Sequence, residues 1–212
     1  MSGFNRQAHW QQVYNEKGEN QVSWFQERPA ISLELMEAVG AALDSAIIDI
    51  GGGASRLVDA LVENDYRDLT VLDLSESAVS IAKKRLGRRA ATVKWIVADV
   101  TQWEPPTTYD LWHDRAAFHF LTEESDRIAY VERLTKALRP GGHAIIGTFA
   151  LDGPERCSGL PVVRYDGAQL SASLGSAFAL HDTRRHDHTT PWGAIQHFQF
   201  SVFRRRSDRP VR

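Results

Sequence analysis

Short apolar runs alternate with amphipathic stretches along most of this chain. Ile47-Ile48-Asp49-Ile50 is a compact apolar run interrupted by one acid, as in a strand covered on both faces. Leu57, Ala60 and Leu61 then fall at helical spacing within a segment from Ala54 to Glu63. The same alternation repeats. Leu69 to Asp73 is a second strand, and Ser75 to Leu86 a helix with Ala78, Val79, Ala82 and Leu86 inward, stopped by Gly87. Thr92 to Ala98 is a third strand and Tyr109 to Trp112 a fourth. Thr122 caps a helix running to about Leu138, with Ile128, Val131, Leu134 and Leu138 inward. Strand five is His143 to Ala150. Residues 151–168 read as a long loop, Asp166 to Leu174 as a short helix, and Phe178 to Arg185 with Ile195 to Arg204 as two last strands around a turn at Thr189 to Gly193. Upstream, His9 to Tyr14 suits a short helix and Ala30 to Leu43 a longer one, carrying Ile31, Leu35, Met36, Val39 and Leu43 on one side. Strands alternating with helices predict an α/β fold with a mostly parallel sheet.

The chemistry concentrates where the first strand meets Gly51-Gly52-Gly53. Three glycines remove every Cβ at the turn, so a ligand can touch backbone there. A dinucleotide fingerprint wants a small residue at position 56, where this chain has Arg56. The pattern present is Asp-x-Gly-x-Gly-x-Ser, from Asp49 to Ser55. A carboxylate before the turn attracts a cation and repels a diphosphate. Strand two ends in Asp73 and strand three in Ala98-Asp99-Val100, so three strands each carry an acid at the carboxyl end, where open α/β sheets bind ligands.

These features resemble class I, seven-strand methyltransferases that use S-adenosylmethionine (SAM) and release S-adenosylhomocysteine (SAH). The Leu138-Arg139-Pro140-Gly141-Gly142 link into strand five is a further mark of that family. The resemblance implies a three-layer Rossmann-like sandwich with strand order 3-2-1-4-5-7-6, strand 7 antiparallel. It implies that Asp49, Gly51, Gly52, Gly53 and Ser55 form the cofactor turn. Asp73 with Leu74 would meet the ribose, and Asp99 with Val100 the adenine. Trp24 lies in an aromatic arm, residues 1–30, expected to lie on the domain of residues 31–206 as a lid; residues 207–212 are expected to be a tail. Trp103 is read as core in preference to an adenine contact.

The family places acceptor chemistry after strand four, at His113-Asp114-Arg115-Ala116-Ala117-Phe118-His119. Asp114, His113 and His119 are the candidate bases, with Asp114 alternatively holding the methionine end, and Arg115 is a candidate partner for a substrate anion or for a strand-tip acid. This stretch is similar to the Asp-Lys-Gly-Thr-apolar-Asp run of protein-lysine methyltransferases but departs from it at 115, 116, 117 and 119. It has no Asn/Asp-Pro-Pro-aromatic run and no paired glutamates, and the single cysteine disfavours arsenite chemistry. A small-molecule thiol, oxygen or nitrogen acceptor is therefore expected, with protein lysine as the alternative. The other classes weighed are an NAD-linked oxidoreductase and a non-catalytic SAM-binding module.

Bulk properties add exclusions. The 212 residues are 42% hydrophobic and 25% charged with net charge −2, which points away from nucleic acid and anionic membranes. The Arg204-Arg205-Arg206 end reads as solvated. One cysteine, Cys157, fits a reducing compartment and excludes an internal disulfide. No apolar run approaches the roughly 20 residues of a bilayer span and no signal core opens the chain, so a cytoplasmic monomer or homodimer is expected. The spacing of His181, His186, His188 and His197 matches no compact metal site, so no metal is expected.

Overall fold

A computed structural model describes residues 5–207. Residues 1–4 of the expected arm and 208–212 of the expected tail lie outside that range. The strands are β1 Ala46–Ile50, β2 Asp68–Asp73, β3 Val93–Val97, β4 Tyr109–Arg115, β5 Leu138–Phe149, β6 Arg156–Cys157, β7 Leu160–Pro161, β8 Phe178–Thr189 and β9 Ile195–Arg205. Seven of them form one sheet in the order β3-β2-β1-β4-β5-β9-β8. Strands β3, β2, β1, β4 and β5 are parallel, while β9 runs antiparallel to both β5 and β8. Setting aside the small β6–β7 hairpin, which lies outside the sheet, this is the expected order.

Helices cover both faces: α1 Arg6–Glu16, α2 Ala30–Ala38, α3 Leu57–Glu63, α4 Glu76–Leu86, α5 Glu124–Ala137 and α6 Gly167–Leu174. Tyr130 and Leu134 of α5 and Leu170 of α6 pack with Trp103, Trp112 and Phe203 on one face. On the other, Leu35 of α2, Leu57 of α3 and Leu86 of α4 pack with Ile47, Leu111 and Phe200. Neighbouring β4 residues point to opposite faces. His113 and Arg115 therefore share the face of Leu111, and Asp114 that of Trp112. No described helix is long and apolar enough to cross a membrane.

Several element limits differ from the sequence expectation, each for a local reason. Helix α2 ends at Ala38 because Gly40 turns left-handed (φ +73°) and Ala41 N–H closes back on Met36 O at 3.0 Å. Leu43 is left 44% exposed. Helix α3 begins at Leu57, since residues 54–56 complete the glycine turn. Helix α1 is longer than expected although Val13 is its only buried residue. Helix α5 starts at Glu124 without a side-chain cap, and Ile128 faces out, 54% exposed. The Leu138–Gly142 link belongs to β5, because the hydrogen bonding of Leu138 beside Tyr109 extends the strand back to the end of α5. The expected loop at 151–168 contains the β6–β7 hairpin. Strand β8 runs on to Thr189, paired with β9 apart from an irregularity between Leu180 and Asp182. The difference that bears on function is β4, which continues by pairing with β1 through Asp114 and with β5 through Arg115.

Candidate cofactor and acceptor site

The turn after β1 admits only glycine. Gly51 has φ +67° and donates its N–H to Leu72 O at 2.7 Å. A Cβ at Gly52 would stand 2.3 Å from Asp49 Oδ2, and one at Gly53 2.5 Å from Asp73 Oδ2. The turn and the two acids are thus packed as a unit. Arg85 braces its outer side by donating to Ser55 O at 2.8 Å and Ala54 O at 3.2 Å while paired with Asp59 and with Glu19 of the arm. No sequence signal marked Arg85, because a lysine- and arginine-rich last turn is ordinary for any helix.

Asp73 ends β2 and accepts from Ser75 N–H at 2.7 Å, where Ser75 also caps α4. Burial pushes the Asp73 carboxyl up to about 6, against the pull of the amides of Ser75, Gly53 and Leu74. Asp99 follows β3. It accepts from Thr101 N–H and Oγ–H at 2.9 and 2.7 Å and pairs with Arg6 of α1 at 2.9 Å. Between these groups lies a partly open cavity. Its floor and one wall are Gly51, Asp73, Leu74, Asp99 and Val100. The opposite wall is Arg115, Ala117, Phe120 and Cys157. Trp10, Tyr14 and Trp24 of the arm complete it. Trp24 donates its indole N–H to the Tyr14 hydroxyl at 3.1 Å, and Trp10 packs edge-on against both Trp24 and Phe120. Arg6 and Cys157 join this wall from distant parts of the chain, and nothing in their local sequence marked them.

The remaining sequence candidates stand elsewhere. Asp49 is 4% exposed beneath the turn and accepts from His113 Nδ1 at 2.7 Å, with Oδ2 lacking a partner. The other ring nitrogen of His113 meets the Ser32 hydroxyl at 2.9 Å, which fixes that histidine inside the sheet–α2 interface. Asp114 is fully buried on the opposite face. It accepts from the backbone of Ala117 and Phe118 and from the Tyr130 hydroxyl at 2.7 Å, and burial raises it to about 6. It shapes the loop in which Ala116 takes φ +69°. His119 is also fully buried, accepting from Phe149 N–H at 3.3 Å; burial first and Arg115 second push it down to about 3. Ser55 faces a smaller depression beside Arg56 and Phe25. The structure therefore gathers Gly51, Asp73, Leu74, Asp99, Val100 and Trp24 into one cavity wall, and keeps Asp49, Gly52, His113, Asp114 and His119 behind it.

A glycine turn, two strand-tip carboxylates and an aromatic roof at the carboxyl end of a 3-2-1-4-5 parallel sheet suit an adenosyl ligand carrying a cation. Residues 47–142 match the methyltransferase domain family. The fold is that of the class I methyltransferases. The cofactor of this class is SAM, and the Cβ-free turn with Asp73 and Asp99 fits it. The chain is similar to trans-aconitate 2-methyltransferase of Sinorhizobium medicae, 30% identical over 172 residues, covering 80% of this chain and 62% of that protein. It spans between 22% and 62% of the length of the first curated relatives it matches. Its fold superimposes on a SAM-dependent methyltransferase from Anabaena variabilis with TM-score 0.76 at 15% identity, covering 96% of both chains. The likeness to Burkholderia thailandensis 1,6-didemethyltoxoflavin-N1-methyltransferase, solved with SAH, has TM-score 0.74 at 21% identity over 95% and 87% of the two chains.

Proposed function

We propose that this methyltransferase moves a methyl group from SAM to a heteroatom of a small molecule. The observation that carries the proposal is that Gly51, Asp73, Leu74, Asp99 and Val100 line one cavity together with Arg115 and Ala117. SAM supplies an activated methyl group on a sulfonium, so the protein's work is alignment and exclusion of water. In this reading the Gly51 turn receives the methionyl backbone and Asp73 accepts from the ribose hydroxyls. Asp99 accepts from the adenine amino group in competition with Arg6. Trp10, Tyr14 and Trp24 keep water from the methyl-transfer end. The relatives named above act on small molecules, by their names, which supports the same acceptor class.

Lysine methylation has less support. The Asp-Lys-Gly-Thr-apolar-Asp run is absent, and an ammonium would enter beside the Arg115 guanidinium. The groups facing the cavity also offer no ready base: Cys157 is pushed up to about 11 by burial, and burial raises the Tyr14 phenol too. His119, with a suppressed basicity, is a poor proton acceptor near neutrality. An acceptor that arrives already deprotonated needs none. A screen with radiolabelled methyl donor against small acids, thiols, amines and whole-cell protein tests the proposal. Label in a small-molecule fraction is expected, and label only in protein would contradict it.

A further inference from the structure

Arg115 is the wall residue whose chemistry the cofactor reading leaves unused. Its Nη1 donates to Trp24 O at 2.8 Å, and its guanidinium lies over the Phe198 ring, 5.1 Å from the centroid. Nε and Nη2 are buried without a hydrogen-bond partner, and among the described residues Arg115 makes no ion pair. Asp49, the carboxylate that raises Arg115 after the larger effect of Cys157, is already held by His113. Burial drives Arg115 down to about 10. His119, His186 and His188 around it are held below their usual value, by burial first and by Arg115 second, and so stay neutral near pH 7.

A buried guanidinium with its Nε–Nη2 edge unpartnered is half of a two-point ion pair, because that edge matches the two oxygens of a carboxylate. Its position favours the acceptor over the cofactor. Asp73 and Asp99 follow β2 and β3, on one side of β1. Arg115 ends β4 on the other side, and its head reaches further, to Phe198 of β9. We propose that Arg115 binds a carboxylate of the methyl acceptor through Nε and Nη2, making the acceptor a small carboxylic acid. The proposal rests on the methyltransferase reading. It agrees with the absence of a ready base, since a carboxylic acid is ionised unaided at neutral pH. The methionyl end of SAM carries the same chemistry, and the test separates the two sources.

The test is calorimetry on the full chain saturated with SAH, titrated with succinate, citrate and neutral succinamide. Wild type is expected to bind a carboxylate at millimolar concentration and not the amide. Arg115→Met is expected to weaken that binding by about tenfold or more, with Arg115→Lys in between and SAH affinity within a few-fold of wild type. The proposal is overturned by equal carboxylate binding in wild type and Arg115→Met, or by no carboxylate binding to wild type. It is equally overturned if SAH affinity falls in parallel, which would assign the guanidinium to the cofactor. If Arg115→Met does not fold, unchanged carboxylate affinity in Arg115→Lys overturns it. Failure of wild type to bind SAH would instead defeat the underlying reading.

Discussion

Asp73 carries two consequences at the scale of single residues. Its carboxyl binds a proton more tightly in the folded chain (about 6) than at its ordinary value of 3.8, because burial disfavours the charge. The stability it contributes is therefore fully present below the ordinary value and lost as pH rises through about 6. The ribose contact has the opposite preference, since hydroxyls donate best to an ionised carboxylate. SAH affinity is expected to fall as pH drops below about 6, and to fall less in Asp73→Asn. Calorimetry across pH 5–8 checks this, and a flat wild-type profile would count against the ribose role. Gly53→Ala would push its methyl within 2.5 Å of Asp73 Oδ2 and 2.6 Å of Ala78 Cβ. A loss of SAH affinity of about tenfold or more is expected, measured beside the melting temperature to separate binding from folding. The sequence made this turn readable because glycine and acid spacing is local. It did not reveal that Asp49 faces His113, since that contact joins two strands and α2. Nor did it show that burial takes His119 out of the range of a useful base.

Among the elements, the arm is the one whose role is most exposed to test. Helix α1 buries only Val13, so polar ties hold it. Arg6 reaches Asp99 and Asp126 at 2.9 Å each, and Gln11 Nε2 and Asn15 meet Ser77. Arg6→Ala is expected to speed SAH release by about threefold or more, seen by stopped-flow fluorescence of the roof tryptophans. An unchanged rate would show that α1 does not gate the cavity. Aromatic content in a polar segment is the signal from which a covering arm was expected. Its helix was underestimated because α1 lacks an apolar stripe, the signal on which helix reading depends. Strand β4 was underestimated for a different reason. His113, Asp114 and Arg115 look like loop residues, yet pairing with β1 as far as Asp114 and with β5 as far as Arg115 extends the strand through them.

For the whole molecule, strand–helix alternation was sufficient to give the parallel sheet, and the closing β8–β9 pair fell where the resemblance placed it. On the α5 face a buried polar chain adds to the apolar packing. Tyr130 accepts from Trp112 Nε1 at 2.8 Å and donates to Asp114 at 2.7 Å, joining α5 to β4 and to the loop that forms the acceptor wall. Tyr130→Phe leaves Trp112 Nε1–H and Asp114 without this partner and is expected to cost about 1–3 kcal/mol in urea unfolding. A change below a few tenths would mean that this chain does not hold the loop. The account as a whole depends on the cavity over Gly51 being an adenosyl site. Isothermal titration calorimetry of the wild-type chain with SAH tests that most directly. One-site binding at micromolar concentration, sharply weakened in Asp73→Ala, is the expected result; no heat at millimolar SAH, or equal affinity in both proteins, would contradict it.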